Sequence, residues 1–351
     1  MSAQPFDFAG RKVGPGEKCL VIAEAGVNHN GDMGLAKEMI DAAAEAGADV
    51  VKFQSFRAEK LASRHTPQAE YSRHLAKGKL SHFDMLKSLE LSEPQHRDLM
   101  AHCKQKGVAF LSSPFDETMA DLLEGLGVPG FKTPSGEITN LPYLAHIARK
   151  GRPMIVSTGM SSLGEAETAL KVIQQAGNPP VILLHCLSQY PAPPSEVNLR
   201  AMLTMAVAFG VPTGYSDHTP GVAVSVAAVA LGACAIEKHF TLNRDLPGPD
   251  HKASLEPDEL KRMVSEIRTV ESCLGDGIKR MAPSEADTAN VARKSIVAAR
   301  DLPAGAVLDK NSVTVKRPGT GLPPAFLEFV LGRKLRRAVR SDELIEMNSL
   351  E

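Results

Sequence analysis

Short runs of apolar residues rich in Val, Ile, Leu and Phe recur along this chain. Each ends in glycine, serine or another polar residue, and a stretch with apolar residues at helical spacing follows. Eight runs fit this pattern: "CLVIAEAG" from Cys19, "VVKFQSF" from Val50, "VAFLSSPF" from Val108, "GFKTPSG" from Gly130, "PMIVSTGM" from Pro153, "PVILLHC" from Pro180, "PTGYSDH" from Pro212 and "CAIEKHF" from Cys234. Between them lie helical patterns such as "MGLAKEMIDAAAEAGA" and "LEPDELKRMVSEIRTVESCLG", the latter opening with proline and acids and ending at Gly275. Eight strand–helix repeats predict an α/β fold, a (β/α)8 TIM barrel over 1–275, because a closed parallel sheet leaves no exposed edge. After Gly275 the pattern changes. A polar stretch, 276–290, reads as a linker, and short alternating runs with Pro/Gly turns over 291–351 predict a small β-rich domain with a core too small to be robust alone.

Composition narrows the partners. A formal net charge of -1 over 351 residues, with no basic stripe, excludes an electrostatic footprint for nucleic acid or an anionic membrane. Five cysteines stand far apart without a CxxC pair, as expected of reduced thiols rather than a disulfide framework or zinc cluster. No signal-peptide pattern opens the chain, and its longest apolar stretch, 222–233, falls short of the ~20 residues that cross a bilayer. A cytoplasmic enzyme for a small molecule is the expectation.

In a barrel of this kind the chemistry sits at the carboxyl ends of the strands. Polar residues fall there in every repeat: Glu24 and Asn28, Lys52 and Gln54, Ser113, Lys132, Ser135 and Glu137, Ser157, His185, Ser188 and Tyr190, Ser216, Asp217 and His218, Glu237, Lys238 and His239. A lone histidine at a strand end is ordinarily a hydrogen-bonded structural residue. His218 and His239 end neighbouring strands, however, and two imidazoles on one rim can share a divalent ion with water and a carboxylate, though two residues are not a complete ligand set. Lys52 and Lys132 interrupt apolar strands. Each needs a counter-charge or a ligand: either a structural ion pair with Glu24 or Glu137, or an anion held jointly with the surrounding hydroxyls. No P-loop consensus is present, which disfavours a nucleoside triphosphate. Asp250, in "GPDHKASLEP", follows the eighth strand, and Arg317, in "KRPGTG", is by itself an ordinary surface arginine.

The motifs "IAEAGVNHNG", "VKFQSF", "FKTPSGE", "STGM", "LHCLSQYPAP", "GYSDHTPG", "IEKHFTL", "GPDHKASLEP" and "KRPGTG", in this order, resemble the sialic acid synthase family, the N-acylneuraminate or nonulosonate synthases. The resemblance runs nearly end to end. It implies a TIM barrel joined to a C-terminal antifreeze-like (SAF) domain in a domain-swapped homodimer. It also implies condensation of phosphoenolpyruvate with an N-acylmannosamine-type sugar, with release of phosphate, aided by Mn2+ or Mg2+. Carried onto this sequence, it gives His218 and His239 as metal ligands, and Lys52 and Ser113 at the phosphoenolpyruvate carboxylate. Lys132, Ser135, Ser157 and Ser216 fall at its phosphate. Glu137, Tyr190 and Asp250 fall at the sugar hydroxyls with Gln54 nearby, and Arg317 reaches the sugar's acylamino group from the partner subunit. Ser188 stands where sialic-acid-specific members often carry asparagine; it can still donate to phosphate, but it leaves the sugar open between N-acetylmannosamine and the acceptors of N,N'-diacetyllegionaminate or pseudaminate synthases. Glu24 or a metal-bound water is the expected acid/base for water addition. Because an enol phosphate is already a nucleophile, the lysines are expected to bind charge, not to form an imine. Another metal-dependent barrel aldolase and a noncatalytic carbohydrate-binding protein are the competing readings.

Overall fold

A computed structural model describes residues 3–63 and 81–351, and within these the chain divides into two compact units, one running to Gly275 and the other Asp276–Glu351. In the first unit a hairpin of two short strands, β1 (Phe6–Phe8) and β2 (Arg11–Val13), precedes eight parallel strands. These are β3 (Leu20–Gly26), β4 (Val50–Ser55), β5 (Ala109–Pro114), β6 (Phe131–Thr133), β7 (Met154–Ser157), β8 (Val181–Cys186), β9 (Thr213–Asp217) and β10 (Ala235–His239). Each lies within one of the eight predicted runs. The ladder order β5-β4-β3-β10-β9-β8-β7-β6 wraps the sheet into a barrel whose first repeat, β3, pairs with its last, β10. The seam lies between β5 and β6, which pack side by side but share no ladder among the described residues; β6 has only three residues with which to make one.

Alternation along the strands divides the residues between two cores. Outward positions such as Val21, Val51, Phe53, Phe131, Val156, Leu183 and Ile236 pack against the surrounding helices. Inward positions Ile22, Val50, Leu111, Ile155, Leu184 and Ala235 fill the lower barrel together with Phe8 and Val13 of the hairpin. Phe8 is fully buried, which stabilises the fold by about 2–3 kcal/mol. Glycine at 130 permits this, because a Cβ there would come within 2.6 Å of both the Phe8 ring and the Pro153 carbonyl. Helix starts are set by local chemistry: Ser162 and Glu165 form a capping box for Leu163–Ala176, and Ser92 with Gln95 does the same for Glu93–Lys106, which stops at left-handed Gly107.

In the second unit, β11 (Ser295–Ala298) pairs antiparallel with β12 (Val313–Lys316), and isolated bridges such as Leu302 to Val339 and Leu335 to Leu350 extend the β character. Ile296, Leu308, Val330, Val339 and Ile345 form its small core. The segment 276–290, expected to be a plain linker, instead contains a 3-10 turn, Pro283–Glu285, and most of a helix, Ala286–Ala292. It is tied to the small unit where Gly319 N–H donates to the Asn290 carbonyl at 2.7 Å. The alanine-rich "EADTANVA" favours helix once this anchor exists. All five cysteines are free thiols, and among the described residues no helix is long and apolar enough to cross a membrane.

Candidate active site

Two residues above the apolar layer, the inward face turns polar on nearly every strand: Glu24, Lys52, Ser113, Lys132, Ser157, Cys186, Ser216 and Glu237 all face a cavity of about 800 Å³ at the carboxyl mouth of the barrel. Gln54, Ser135, Ser188, Tyr190, His218, His239 and Asp250 line it as well. A bulge where β3 meets β4 ends β3 at Gly26, whose φ of +55° suits glycine and whose missing side chain leaves room beside the Glu24, Gln54 and Asp250 polar atoms.

The two lysines are almost wholly buried, Lys52 at 3% and Lys132 at 2% exposure. Lys52 Nζ lies 2.9 Å from Glu24 Oε2 and 3.6 Å from Glu237 Oε2, and it donates to Ser113 Oγ at 3.0 Å. Lys132 Nζ donates to Ser157 Oγ at 2.7 Å and to the Thr133 carbonyl, and its nearest carboxylate in the site is Glu237 Oε1 at 3.7 Å. The ion-pair reading thus holds for Lys52 with Glu24, but Lys132 pairs with Glu237 and not with Glu137. Burial opposes charge on both. Two carboxylates more than restore it for Lys52, whose pKa is raised, whereas Lys132, with one more distant carboxylate and Lys52 nearby, is lowered. Lys132 is therefore the cation most in need of an incoming anion.

The carboxylates separate in the same way. Burial pushes Glu24 up to about 7, with Lys52 opposing and Glu237 reinforcing the shift. Burial would also raise Glu237, but Lys132, Lys52 and the two imidazoles hold it at about 2. One mouth thus contains a carboxyl poised to exchange a proton near neutrality and a carboxylate that stays ionised. Gln54 Nε2 donates to Glu24 Oε1 at 3.3 Å, and Ser216 Oγ donates to Glu237 Oε1 at 3.2 Å. Gly159 N–H donates to Ser135 Oγ, bringing the loop after β7 against the loop after β6.

The imidazoles of His218 and His239 lie with ring centroids 5.5 Å apart, and the Tyr190 ring lies tilted against His218 with centroids 4.1 Å apart. His218 Nδ1 donates to the Leu187 carbonyl at 2.8 Å, which leaves the Nε2 lone pair available. His239 Nδ1 is buried with no hydrogen-bond partner and lies 3.8 Å from Asp250 Oδ2. Burial, with His218 and Lys52 adding to it, drives the His239 pKa far down, so this ring is neutral. The neutral His239 ring, with its orphaned nitrogen, beside Nε2 of His218 fits a divalent ion. No cluster of three His, Cys, Asp or Glu side chains suited to an ion occurs among the described residues, so water and substrate oxygens would complete the shell.

Other sequence candidates lie elsewhere. Glu137 stands outside the cavity lining, on the 3-10 turn Ser135–Glu137, where Asn140 Nδ2 donates to its carboxylate at 2.7 Å. Arg317 belongs to the second unit, where it is exposed and its Nε–H donates to the Ala292 carbonyl. Asn28 is structural, donating to the Phe240 carbonyl and Ser254 Oγ, and His185 faces the helix layer, bonded to the Val197 carbonyl. Asp217 and Lys238 point outward. Glu237, among the strand-end polar residues but without a role in the sequence reading, proves to be the one carboxylate among the described residues that reaches both lysines. Its signal was its position two residues before His239, on the same face of a strand. The apolar flank of the cavity, Val27, Met85, Leu86, Leu89 and Phe115, was not anticipated, because it comes from loops and a short helix outside the repeats.

Comparison with known proteins gives the family. The NeuB family profile matches residues 39–279 and the SAF domain matches 293–351. The chain is 49% identical over 331 residues to the N,N'-diacetyllegionaminic acid synthase of Campylobacter jejuni, covering 94% of this chain and 99% of that one. Its identity to the N-acetylneuraminate-9-phosphate synthase of Homo sapiens is 39%, over 96% and 94% of the two chains. The crystal structure of the N-acetylneuraminic acid synthetase of Leptospira borgpetersenii, in complex with citrate, superposes with a TM-score of 0.72 at 34% identity, covering 82% of this chain and 95% of that one.

Proposed function

The chain belongs to the NeuB family, with a SAF domain at its C-terminal end, and from that premise we propose that it condenses phosphoenolpyruvate with an N-acyl amino sugar and water to give a nonulosonate and phosphate. N,N'-diacetyllegionaminate, the alternative product in the sequence reading, takes precedence over N-acetylneuraminate. The chain is 49% identical to a diacetyllegionaminic acid synthase and 39% to an N-acetylneuraminate-9-phosphate synthase. The apolar flank of Val27, Leu86, Leu89 and Phe115 suits an acceptor that presents acetyl and deoxy carbons in place of hydroxyls. One observation carries the reaction class: two buried lysines ringed by serines and two imidazoles 5.5 Å apart share a single cavity.

The donor carries a carboxylate and a phosphate a few bonds apart, and two separated cations match it. Lys52 with Ser113 takes the carboxylate; Lys132 takes the phosphate with Ser135, Ser157, Ser188 and Ser216. Glu237 lies beside both ammonium groups, 3.6 Å from Lys52 Nζ and 3.7 Å from Lys132 Nζ. His218 and His239 would hold a divalent cation, Mn2+ or Mg2+, which when bound supplies Lewis acidity toward the acceptor's carbonyl oxygen. The donor's methylene carbon attacks that carbonyl carbon, whose oxygen takes up a proton to become a hydroxyl, and Glu24 accepts a proton from the water that adds to the carbon bearing the phosphate. Phosphate departs and leaves the 2-keto acid. Gln54, Tyr190 and Asp250 orient the sugar. A cytoplasmic homodimer in which the partner subunit's SAF domain brings its arginine to the acylamino group completes the proposal.

Incubation with phosphoenolpyruvate, Mn2+ and a panel of N-acetylmannosamine and diacetamido-trideoxyhexose acceptors, with products identified by mass, tests it. Phosphate release that requires both donor and acceptor is expected, fastest with the diacetamido sugar. Release without an acceptor, or borohydride trapping of pyruvate on a lysine, overturns the mechanism.

A further inference from the structure

Ser216, His218, Glu237 and His239 face the cavity, so the residues between them, Asp217 and Lys238, face the helix layer. They are partners in register across β9 and β10, and their side chains are 0% and 1% exposed. Among the described residues, the other outward strand positions carry apolar or neutral side chains, so a full ion pair here needs a reason. Removing two charges from water costs more than their attraction readily returns, and a well-packed apolar pair is generally as stable or more so.

The pair's contacts converge on one residue. Asp217 Oδ1 accepts from the backbone N–H and the hydroxyl of Thr219, both at 2.8 Å, closing a turn around His218. Asp217 Oδ2 accepts from Ser225 Oγ at 2.6 Å and from Lys238 Nζ at 2.8 Å. Lys238 Nζ also donates to the Thr219 carbonyl. The ammonium group thus grips the chain on both sides of His218, and it does so from the residue immediately before His239. The His218 carbonyl, in turn, accepts from Ala192 N–H, which draws in the loop that carries Tyr190.

We propose that Asp217 and Lys238 are positioning residues: their buried tie, on the side of the sheet away from the cavity, fixes the separation and aim of the His218 and His239 imidazoles. A geometric tie is worth its desolvation where two ring nitrogens must meet one ion, and it lies where neither substrate nor water reaches it. The proposal deepens the function above and rests on that reading for its catalytic consequence, but not for the placement of the rings.

The test compares wild type with D217L/K238M, which replaces the tie by apolar side chains, and with K238R and D217N. In metal-free protein, long-range 1H–15N spectra of the histidine rings should show the His218 and His239 signals displaced or broadened in the double variant, with those of His29 and His96 in place. Its melting temperature should stay within about 5 °C of wild type. Mn2+ alone, followed by electron paramagnetic resonance, should bind about tenfold more weakly or worse. Turnover should fall by a similar factor, with KM for phosphoenolpyruvate changed by less than about twofold, since Lys52 and Lys132 are untouched. K238R should recover most of the ring signals. Unchanged His218 and His239 signals in a folded double variant would overturn the proposal, as would activity lost only in proportion to folded protein. If the double variant does not fold, D217N is judged by the same spectra. Wild-type protein that binds no Mn2+ would defeat the metal assignment, while the ring spectra still decide on the tie.

Discussion

The two ends of the barrel are built by the same strands and differ in everything else. Moving two residues along an inward face takes Ile22 to Glu24, Val50 to Lys52, Leu111 to Ser113, Ile155 to Ser157 and Ala235 to Glu237. The lower end is filled with aliphatic side chains and closed by Phe8 and Val13; the upper end holds Glu24, Lys52, Lys132 and Glu237 on its strands and a ring of hydroxyls. Stability and chemistry are therefore separated by about one strand repeat, and substitutions at the two levels should fail in different ways.

The largest contrast is expected at Lys132. Lys132→Ala should lower kcat/KM for phosphoenolpyruvate by about 10³-fold or more, because the donor loses a buried cation, with a melting temperature within about 5 °C of wild type because Lys52 still faces Glu237. A proportionate loss of fold would erase the separation. At the other end, Phe8→Ala should cost about 3 kcal/mol by denaturant unfolding while leaving kcat of the folded protein unchanged. Glu24→Gln should lower kcat by about 10²-fold. Its carboxyl, raised to about 7, is protonated below that pH, so the base form and the rate are both lost as pH falls through it. Carboxyl 13C NMR of the metal-free wild type should show a midpoint near 7 that is missing from the variant, and the acidic limb of kcat/KM should vanish with it. The smallest effect belongs to the outer face, where Ser112, Ser55 and His96 form a buried hydrogen-bonded chain. Ser112→Ala should cost about 1 kcal/mol and no activity, a difference readable in paired unfolding and rate measurements.

The barrel was legible because parallel strands covered on both sides need near-continuous apolar runs, and eight of them stand out. The β1–β2 hairpin that closes the base was not, since three-residue strands carry too little alternation to register. At the mouth, Lys52, Gln54, Ser216 and His218 were legible as strand-end polar residues, and all four line the cavity. Rim candidates beyond the strands, such as Glu137, depended on turn geometry that spacing does not encode. The link from Glu237 to both lysines was hidden for a different reason: it joins strands 105 residues or more apart in the chain, a contact that closure of the sheet creates.

The hairpin that stoppers the base has a kinetic corollary. A tube with one opening admits its cargo in single file. On the reaction proposed above, the molecule held by Lys52 and Lys132 is expected to bind before the one that Gln54, Tyr190 and Asp250 engage nearer the entrance. Release is expected to run in reverse, with whatever lies uppermost leaving first.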